Sequence, residues 1–250
     1  MNISLKNAIG DFFETEEKWM TLLLLSLCQL IPIVGPMVLI GYFTRRFVLK
    51  RSGAKVPDFK FDDFGEYLQI GLWPTLAYLV LSLAAIPLIL LAEIPIFVAI
   101  FKLESEPESM APIFVAMAIT YSLIIFISFL LILVASPVVL RSSLMKSFQA
   151  GFSMSFVFGF IKKVGLSFML WMAALWFIAA AASVIGMCAI FIGSIFVATV
   201  AMYVGFHVLY QHYDLYLERG GEEIEIHPEV LTRVMSAPPL PKSSGRDEDS

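Results

Sequence analysis

Long apolar runs separated by short polar segments set the pattern of this chain. Four of the runs hold about 20 residues or more, the length that an α-helix needs to cross the ~30 Å hydrocarbon core of a bilayer. We therefore predict an all-α, polytopic helical membrane protein with four transmembrane helices. The predicted spans cover about residues 68–92, 111–140, 164–185 and 187–210, and the last two are joined by a tight turn at Gly186.

A further apolar run, residues 19–49, is interrupted by Pro32, Gly35 and Pro36 in the stretch LIPIVGPM. As a helix, each half is ~20 Å long at 1.5 Å per residue, which is too short to cross a bilayer alone. The halves either stack into one span with a proline kink, which membrane helices tolerate, or form a re-entrant hairpin. We favour the re-entrant hairpin, with its turn at these three residues.

The residues before this run have the spacing of an amphipathic helix. Apolar side chains share one face, and acidic residues and Lys6 lie opposite. We predict an interfacial helix over residues 3–18 that leads into the hairpin. The acidic residues also argue against a cleaved signal peptide, which would carry basic residues there. The apolar positions are Leu5, Ala8, Ile9, Phe12 and Phe13.

Lysine and arginine are strongly biased to one side of the predicted spans. Fourteen of them lie in segments that share one side, and only Lys102 lies on the other. Because cytoplasmic segments carry the excess of positive charge, we predict that both long connecting segments and the C-terminus are cytoplasmic. The fourteen are Arg45, Arg46, Lys50, Arg51, Lys55, Lys60, Arg141, Lys146, Lys162, Lys163, Arg219, Arg233, Lys242 and Arg246.

The distribution of polar residues also predicts the domain organisation. Residues 1–218 are expected to form a single membrane domain, and residues 219–250 a cytoplasmic tail. The end of the tail is rich in proline, serine and charge, so we expect it to be largely disordered after residue 236.

Composition supports a membrane protein and excludes several other classes. The chain is 59% hydrophobic and only 15% charged, with a mean hydropathy of +0.84, whereas a soluble domain carries about a quarter charged residues. A net charge of -4 and the lack of a long basic block argue against a nucleic-acid partner. Cys28 and Cys188 lie in apolar runs, where a cysteine is usually a small buried side chain rather than a redox site.

Small residues four apart recur in the last two predicted spans. This spacing lets helix backbones approach closely in lipid, although small residues are also abundant in membrane helices generally. The predicted packing positions are Ala179 and Ser183 on one helix, and Ser194, Ala198, Ala201 and Gly205 on the other.

The sequence contains no recognisable catalytic pattern. Residues 72–92, 111–140 and 164–206 hold no lysine, arginine, aspartate or glutamate, one of which an ion-coupled carrier normally needs at depth. His207 and His212 are five residues apart, so they do not share a helix face as a metal pair would, and membrane-interface anchoring explains them better. We expect no enzymatic activity, no metal and no cofactor.

A basic ridge, Arg45, Arg46, Lys50 and Arg51, follows the predicted hairpin. Each such residue contributes about 1 kcal/mol of attraction near an anionic leaflet, so the ridge is a candidate site for lipid headgroups. The sequence favours a non-enzymatic module that engages anionic headgroups or a protein partner in the membrane. The alternative is a transporter, or a transporter subunit, for an apolar or lipid-like solute.

Several stretches occur in an order typical of one family. They are IPIVGP, GYFTRRFVLKRSGAKVP, FDDFGEYLQIGL and FHVLYQHYDLY. With them, the chain resembles the prokaryotic membrane-protein family catalogued as domain of unknown function 4013, over about residues 1–218. The resemblance implies a broken or re-entrant first apolar run and a location in the prokaryotic cytoplasmic (inner) membrane. It implies no activity and no functional residues.

Overall fold

The computed structural model describes residues 3–14, 16–54, 58–105, 110–187 and 192–230, and their regular structure is helical with no strand. This confirms the predicted all-α class. A short 3₁₀ turn, Phe61–Asp63, precedes the fourth α-helix. The α-helices are α1 (Leu5–Phe12), α2 (Lys18–Gln29), α3 (Val34–Arg51), α4 (Phe64–Ala92), α5 (Ile94–Ser105), α6 (Ala111–Met145), α7 (Phe148–Gly151), α8 (Met154–Met187) and α9 (Ile192–Glu218).

Four helical segments are long and apolar enough to cross a membrane, as predicted. They are Phe61–Phe101, Ala111–Met145, Phe148–Met187 and Gly193–Glu218. Large apolar side chains on these segments face outward, among them Leu83 at 54%, Phe126 at 60% and Leu166 at 78% exposure. Exposed apolar surface on this scale is a lipid-facing property and is rare on soluble monomers. The chain is therefore a multi-pass membrane protein.

The broken apolar run folds as a helical hairpin of α2 and α3. A β-carbon placed on Gly35 would lie 2.3 Å from the carbonyl oxygen of Cys28, whereas residues seven apart in one helix are ~10 Å apart. The chain reverses at Ile33, whose φ of 66° and Val34 N–H to Pro32 C=O bond of 2.7 Å form a γ-turn. Of the three predicted turn residues, Pro32 lies in the turn, and Gly35 and Pro36 begin α3.

Close backbone contact joins α3 to α4 in antiparallel orientation. A β-carbon on Gly41 would lie 1.9 Å from the Tyr67 carbonyl oxygen, and one on Gly71 would lie 1.8 Å from that of Met37. Only glycine permits this approach, since any side chain would overlap the backbone of the other helix. The C-terminal end of α3 therefore lies beside the N-terminal end of α4.

The hairpin of α8 and α9 also depends on glycine. At the C-terminal end of α8 and the N-terminal end of α9, Gly186 meets Gly193, where a β-carbon on Gly193 would lie 2.6 Å from the Gly186 carbonyl oxygen. Gly186 is thus a packing residue within α8, and not the predicted turn, because α8 continues to Met187. Among the predicted packing positions, Gly205 faces Met172 and Leu175, which would lie 3.6 and 3.5 Å from a β-carbon there, and Ala179 and Ala201 line a shared cavity. Ser183 and Ser194 are half-buried, and Ala198 is exposed.

Part of the predicted tail packs against the helices. The Ile224 N–H donates to the Tyr213 hydroxyl at 2.8 Å, and the His227 N–H donates to the Leu144 carbonyl at 2.9 Å. Arg141 and Glu222 form a 2.8 Å ion pair. Residues 219–230 are therefore docked on α6 and α9, beyond the predicted domain end at 218. The expected disorder after residue 236 lies outside the described residues.

We expect Gly41→Ala to lower the free energy of unfolding by about 2 kcal/mol, because its methyl group would push α3 away from α4. Gly65→Ala is the matched control on α4: no atom lies within 4 Å of a β-carbon there, so the change should be neutral or slightly stabilising. Thermal unfolding of both variants in detergent checks this, and equal melting temperatures would contradict the tight α3–α4 contact.

Candidate functional site

The first helix lies antiparallel along α9 and is fastened at its start by Gln211. The Ser4 N–H donates to the Gln211 Oε1 at 2.9 Å, and the Gln211 Nε2 donates to the Ser4 carbonyl at 3.3 Å. Ser4 also caps α1, since its hydroxyl accepts a bond from the Asn7 N–H. Ala8 and Phe12 are fully buried against the protein. The predicted apolar face thus packs mainly on other helices, while Ile9 stays exposed.

The other end of α1 is fastened by a buried carboxylate, Asp11, whose side chain is only 3% exposed. Lys50 of α3 and the Tyr203 hydroxyl of α9 each donate a hydrogen bond to it. The Arg46 guanidinium donates to the Asp11 backbone carbonyl, and its Nε lies 3.9 Å from the carboxylate Oδ2. One acidic side chain therefore joins three helices.

Burial disfavours ionisation of Asp11, but its partners outweigh burial. Hydrogen bonds from Lys50 and Tyr203, with the charges of Arg46 and Lys50, hold the pKa of Asp11 below its ordinary value of 3.8. The carboxylate is therefore ionised at neutral pH and compensates the buried charge of Arg46. The sequence pattern places the acids of α1 on the polar face and therefore does not predict this role of Asp11. The signal was present, since Asp11 lies three residues after Ala8 and therefore near the apolar face.

The four residues of the predicted basic ridge separate into two groups. Arg45 turns towards α4, where its Nη1 lies 2.8 Å from Asp63 and 3.2 Å from Glu66. The other three, Arg46, Lys50 and Arg51, line one cavity of about 210 Å³ between α1, α3 and α9. We call this cavity the basic pocket.

The three cations of the basic pocket differ in how far their side chains are exposed. Arg46 is 2% exposed, lies over the Tyr203 ring at 5.1 Å, and donates to the Tyr42 hydroxyl at 3.3 Å. By contrast, the side chains of Lys50 and Arg51 are 45% and 35% exposed. Arg46 is thus a fixed donor at the rear of the pocket, and Lys50 and Arg51 are partly exposed groups at its mouth.

Among the described residues that line the pocket, cations outnumber carboxylates. Asp11 and Asp214 supply two carboxylates against three cations, and Asp214 lies 3.6 Å from Arg51, beyond hydrogen-bond distance. His207 accepts a bond from the Gln211 Nε2 on its Nδ1 at 2.7 Å, so a neutral ring carries its proton on Nε2, 3.6 Å from Asp11. The walls are aromatic: Phe43, Phe47, Tyr203, Phe206 and Tyr210. Such a pocket suits a small anion.

Metal binding has no support within the described parts of the chain, where no three histidine, cysteine, aspartate or glutamate side chains lie close enough to hold an ion. The two histidines of α9 are engaged separately. His212 is fully buried, with its Nδ1 2.8 Å from the Val208 carbonyl and its Nε2 3.2 Å from the Ser167 hydroxyl. These contacts explain His212 as a packing residue.

We expect Asp11→Asn to lower the free energy of unfolding by about 3 kcal/mol, because it leaves the buried guanidinium of Arg46 uncompensated. The matched control is Glu14→Gln. Glu14 lies 3.6 Å from the same Lys50, but its side chain is 66% exposed, so the loss should be below about 0.5 kcal/mol. Thermal unfolding in detergent measures both, and similar losses would contradict the central role of Asp11.

The stability of the wild-type protein relative to Asp11→Asn should fall only as the pH is lowered. Because folding lowers the pKa of Asp11, its ionised form stabilises the fold at every pH above its ordinary value of 3.8. That contribution is lost as the pH falls through the lower pKa of the folded state. Melting temperatures should therefore differ by a constant amount from pH 5 to pH 7 and converge below pH 4. Convergence between pH 5 and pH 7 would show that the carboxylate is not held ionised.

Comparison with known families matches residues 24–192 to the model described as "Protein of unknown function (DUF4013)". The match contains α3 and its basic residues but excludes α1 and nearly all of α9, which build the rest of the basic pocket. No curated protein and no solved structure gives a significant match. Because the matched region exceeds half of the chain and includes most of the broken apolar run, the resemblance seen in the sequence is confirmed and the chain belongs to the DUF4013 family.

Proposed function

We propose that this protein is a non-enzymatic membrane module that binds an anionic, phosphate-bearing headgroup in the basic pocket. The observation that carries the proposal is the convergence of Arg46, Lys50 and Arg51 on one cavity, where they outnumber the carboxylates among the described lining residues. Arginine and lysine bind phosphate by charge, and arginine adds paired hydrogen bonds.

The arrangement of the three cations within the pocket supports phosphate binding rather than a purely structural ion-pair cluster. Asp11, Tyr42 and Tyr203 hold Arg46 in place, so its orientation costs little entropy when a ligand binds. Arg51 lies 3.6 Å from Asp214 and over the Tyr213 ring at 5.5 Å, and Lys50, which bonds Asp11, is nearly half exposed. Both side chains are therefore within reach of an anion at the mouth of the pocket, while Arg46 remains at the rear.

The position of the hairpin supports a re-entrant arrangement with the pocket on the cytoplasmic side. Its tip is held on α9 by Ser26, whose hydroxyl lies 2.9 Å from that of Thr199, and by a 2.7 Å bond from Thr199 to Gln29. Thr199 lies seven residues, or ~10 Å, after the start of α9. The hairpin thus turns back short of the N-terminal end of α9, and α3 returns to the side rich in lysine and arginine. We propose that this side is cytoplasmic, as the charge rule indicates. We also propose that the membrane is the inner membrane of a prokaryote.

A second candidate function is transport of a lipid-like solute by this chain or by a complex that contains it. Two apolar cavities between the helices, of about 360 and 350 Å³, favour this alternative. Headgroup binding is compatible with either function and is the property that can be tested first.

We expect the double variant Lys50→Gln/Arg51→Gln to lose about 2 kcal/mol of affinity for phosphatidylglycerol, roughly 30-fold, since each cation contributes about 1 kcal/mol. Arg46 is left in place because its removal would disturb the fold. Native mass spectrometry in detergent counts the retained lipids, with phosphatidylcholine of the same chains as the neutral comparison.

The matched control removes the same amount of charge beside the pocket. Arg45 faces α4, and Lys60 is exposed in the segment before it. Arg45→Gln/Lys60→Gln should therefore retain phosphatidylglycerol as the wild type does. Equal loss from both double variants would mean that general surface charge, and not the basic pocket, attracts the lipid. Equal retention by all three proteins would refute headgroup binding.

The orientation can be tested by cysteine labelling after Cys28 and Cys188 are replaced. Lys6 and Glu225 are exposed on the proposed cytoplasmic side, and Met110 is exposed at the opposite end of α6. Cysteine at position 6 or 225 should react only with reagent supplied from the cytoplasm, and cysteine at position 110 only from the other side. Reaction of positions 6 and 225 from opposite sides would establish a fifth membrane crossing.

A further inference from the structure

An apolar cavity of about 360 Å³ lies next to the basic pocket, between α3, α4, α6, α8 and α9. Phe206 of α9 lines both spaces. On α3, Pro36 and Ile40 line the apolar cavity, and Phe43 and Phe47, on the following turns, line the basic pocket. The helix α3 therefore lines a charged space towards its C-terminal end and an apolar space towards the tip of the hairpin.

A second apolar cavity, of about 350 Å³, extends the first one between α6, α8 and α9. Ile132, Met172 and Ala201 line both cavities, so the two adjoin. The serine hydroxyls on these walls are satisfied within their own helix. Ser136 donates to the Ile132 carbonyl at 2.6 Å, and Ser128 donates to the Ile124 carbonyl at 2.8 Å. The walls consequently favour a hydrocarbon occupant.

We infer that the ligand is an anionic phospholipid whose phosphate lies in the basic pocket and whose acyl chain runs past Phe206 into the two apolar cavities. This inference rests on the proposed function and adds the position of the chain. The basic pocket alone, at about 210 Å³, is below the roughly 300–1,000 Å³ of a complete small-molecule site, so it accommodates only part of a ligand. A lipid has the required polarity, with a charged end beside a long apolar one.

The free energy of lipid binding comes from dispersion contacts and charge attraction, and not from removal of hydrocarbon from water. The bilayer is as apolar as the cavities, so an acyl chain gains no hydrophobic transfer energy when it moves between them. An empty cavity, however, leaves its lining atoms without dispersion partners, and a flexible chain restores them. The cations at the pocket select which lipid supplies that chain.

The first test places a bulky side chain in the cavities. Ala201→Phe should fill the space where they adjoin, and Ala198→Phe is the matched control because Ala198 is exposed one turn earlier on the same helix. We expect Ala201→Phe to weaken binding of dioleoyl phosphatidylglycerol at least tenfold, while binding of the short-chain dihexanoyl form changes less than twofold. Ala198→Phe should leave both unchanged. If Ala201→Phe does not fold, Gly205→Leu fills the first cavity from a position with space for a β-carbon.

The second test uses the unaltered protein and phosphatidylglycerol with a photoactivatable diazirine on the acyl chain. Adducts at Met172 or Phe129, which line the cavities, are the expected result. Adducts confined to outward residues such as Leu83 and Leu166, with full binding by Ala201→Phe, would overturn the inference and leave headgroup binding intact. Failure of the proposed function would give a different result. Lys50→Gln/Arg51→Gln would then bind phosphatidylglycerol of both chain lengths as tightly as the wild type does.

Discussion

The buried carboxylate of Asp11 is the interaction on which the rest of the site depends. It accepts bonds from Lys50 on α3 and Tyr203 on α9, and its backbone carbonyl accepts one from Arg46. A guanidinium as buried as that of Arg46 is costly unless an opposite charge lies nearby, and Asp11 supplies that charge. The same contacts close one wall of the basic pocket, so the stability of the helix contacts and the shape of the pocket have a common origin.

The helix α3 connects this polar cluster with the apolar interior. Glycines at positions 41 and 71 let α3 contact the backbone of α4, and the turn at Ile33 returns the chain towards the lysine- and arginine-rich side. As a result, one short helix carries cations at its C-terminal end and cavity-lining apolar residues at its start.

The family match and the site overlap only in part. Residues 24–192 contain α3, part of α2, and α4, α6 and α8, whereas Asp11, Tyr203 and His207 lie outside the matched region. The cations on α3 are thus within the family region, and the residues that orient them come from the flanking helices. A functional account of this chain must therefore include α1 and α9.

Sequence alone determined the features that depend on chain length and local pattern. Apolar runs of sufficient length define the spans, and the Pro32–Pro36 break defines where the first run turns. Tertiary structure decided which charged residues meet. Consecutive helical residues point about 100° apart, so Arg45 turns to α4 and Arg46 to α1, although the sequence presents them as one ridge. Asp11 contacts Tyr203 across 192 positions of the chain, and no local pattern encodes a contact at that distance. Helix packing alone brings such residues together, and for that reason the basic pocket became visible only in the folded chain.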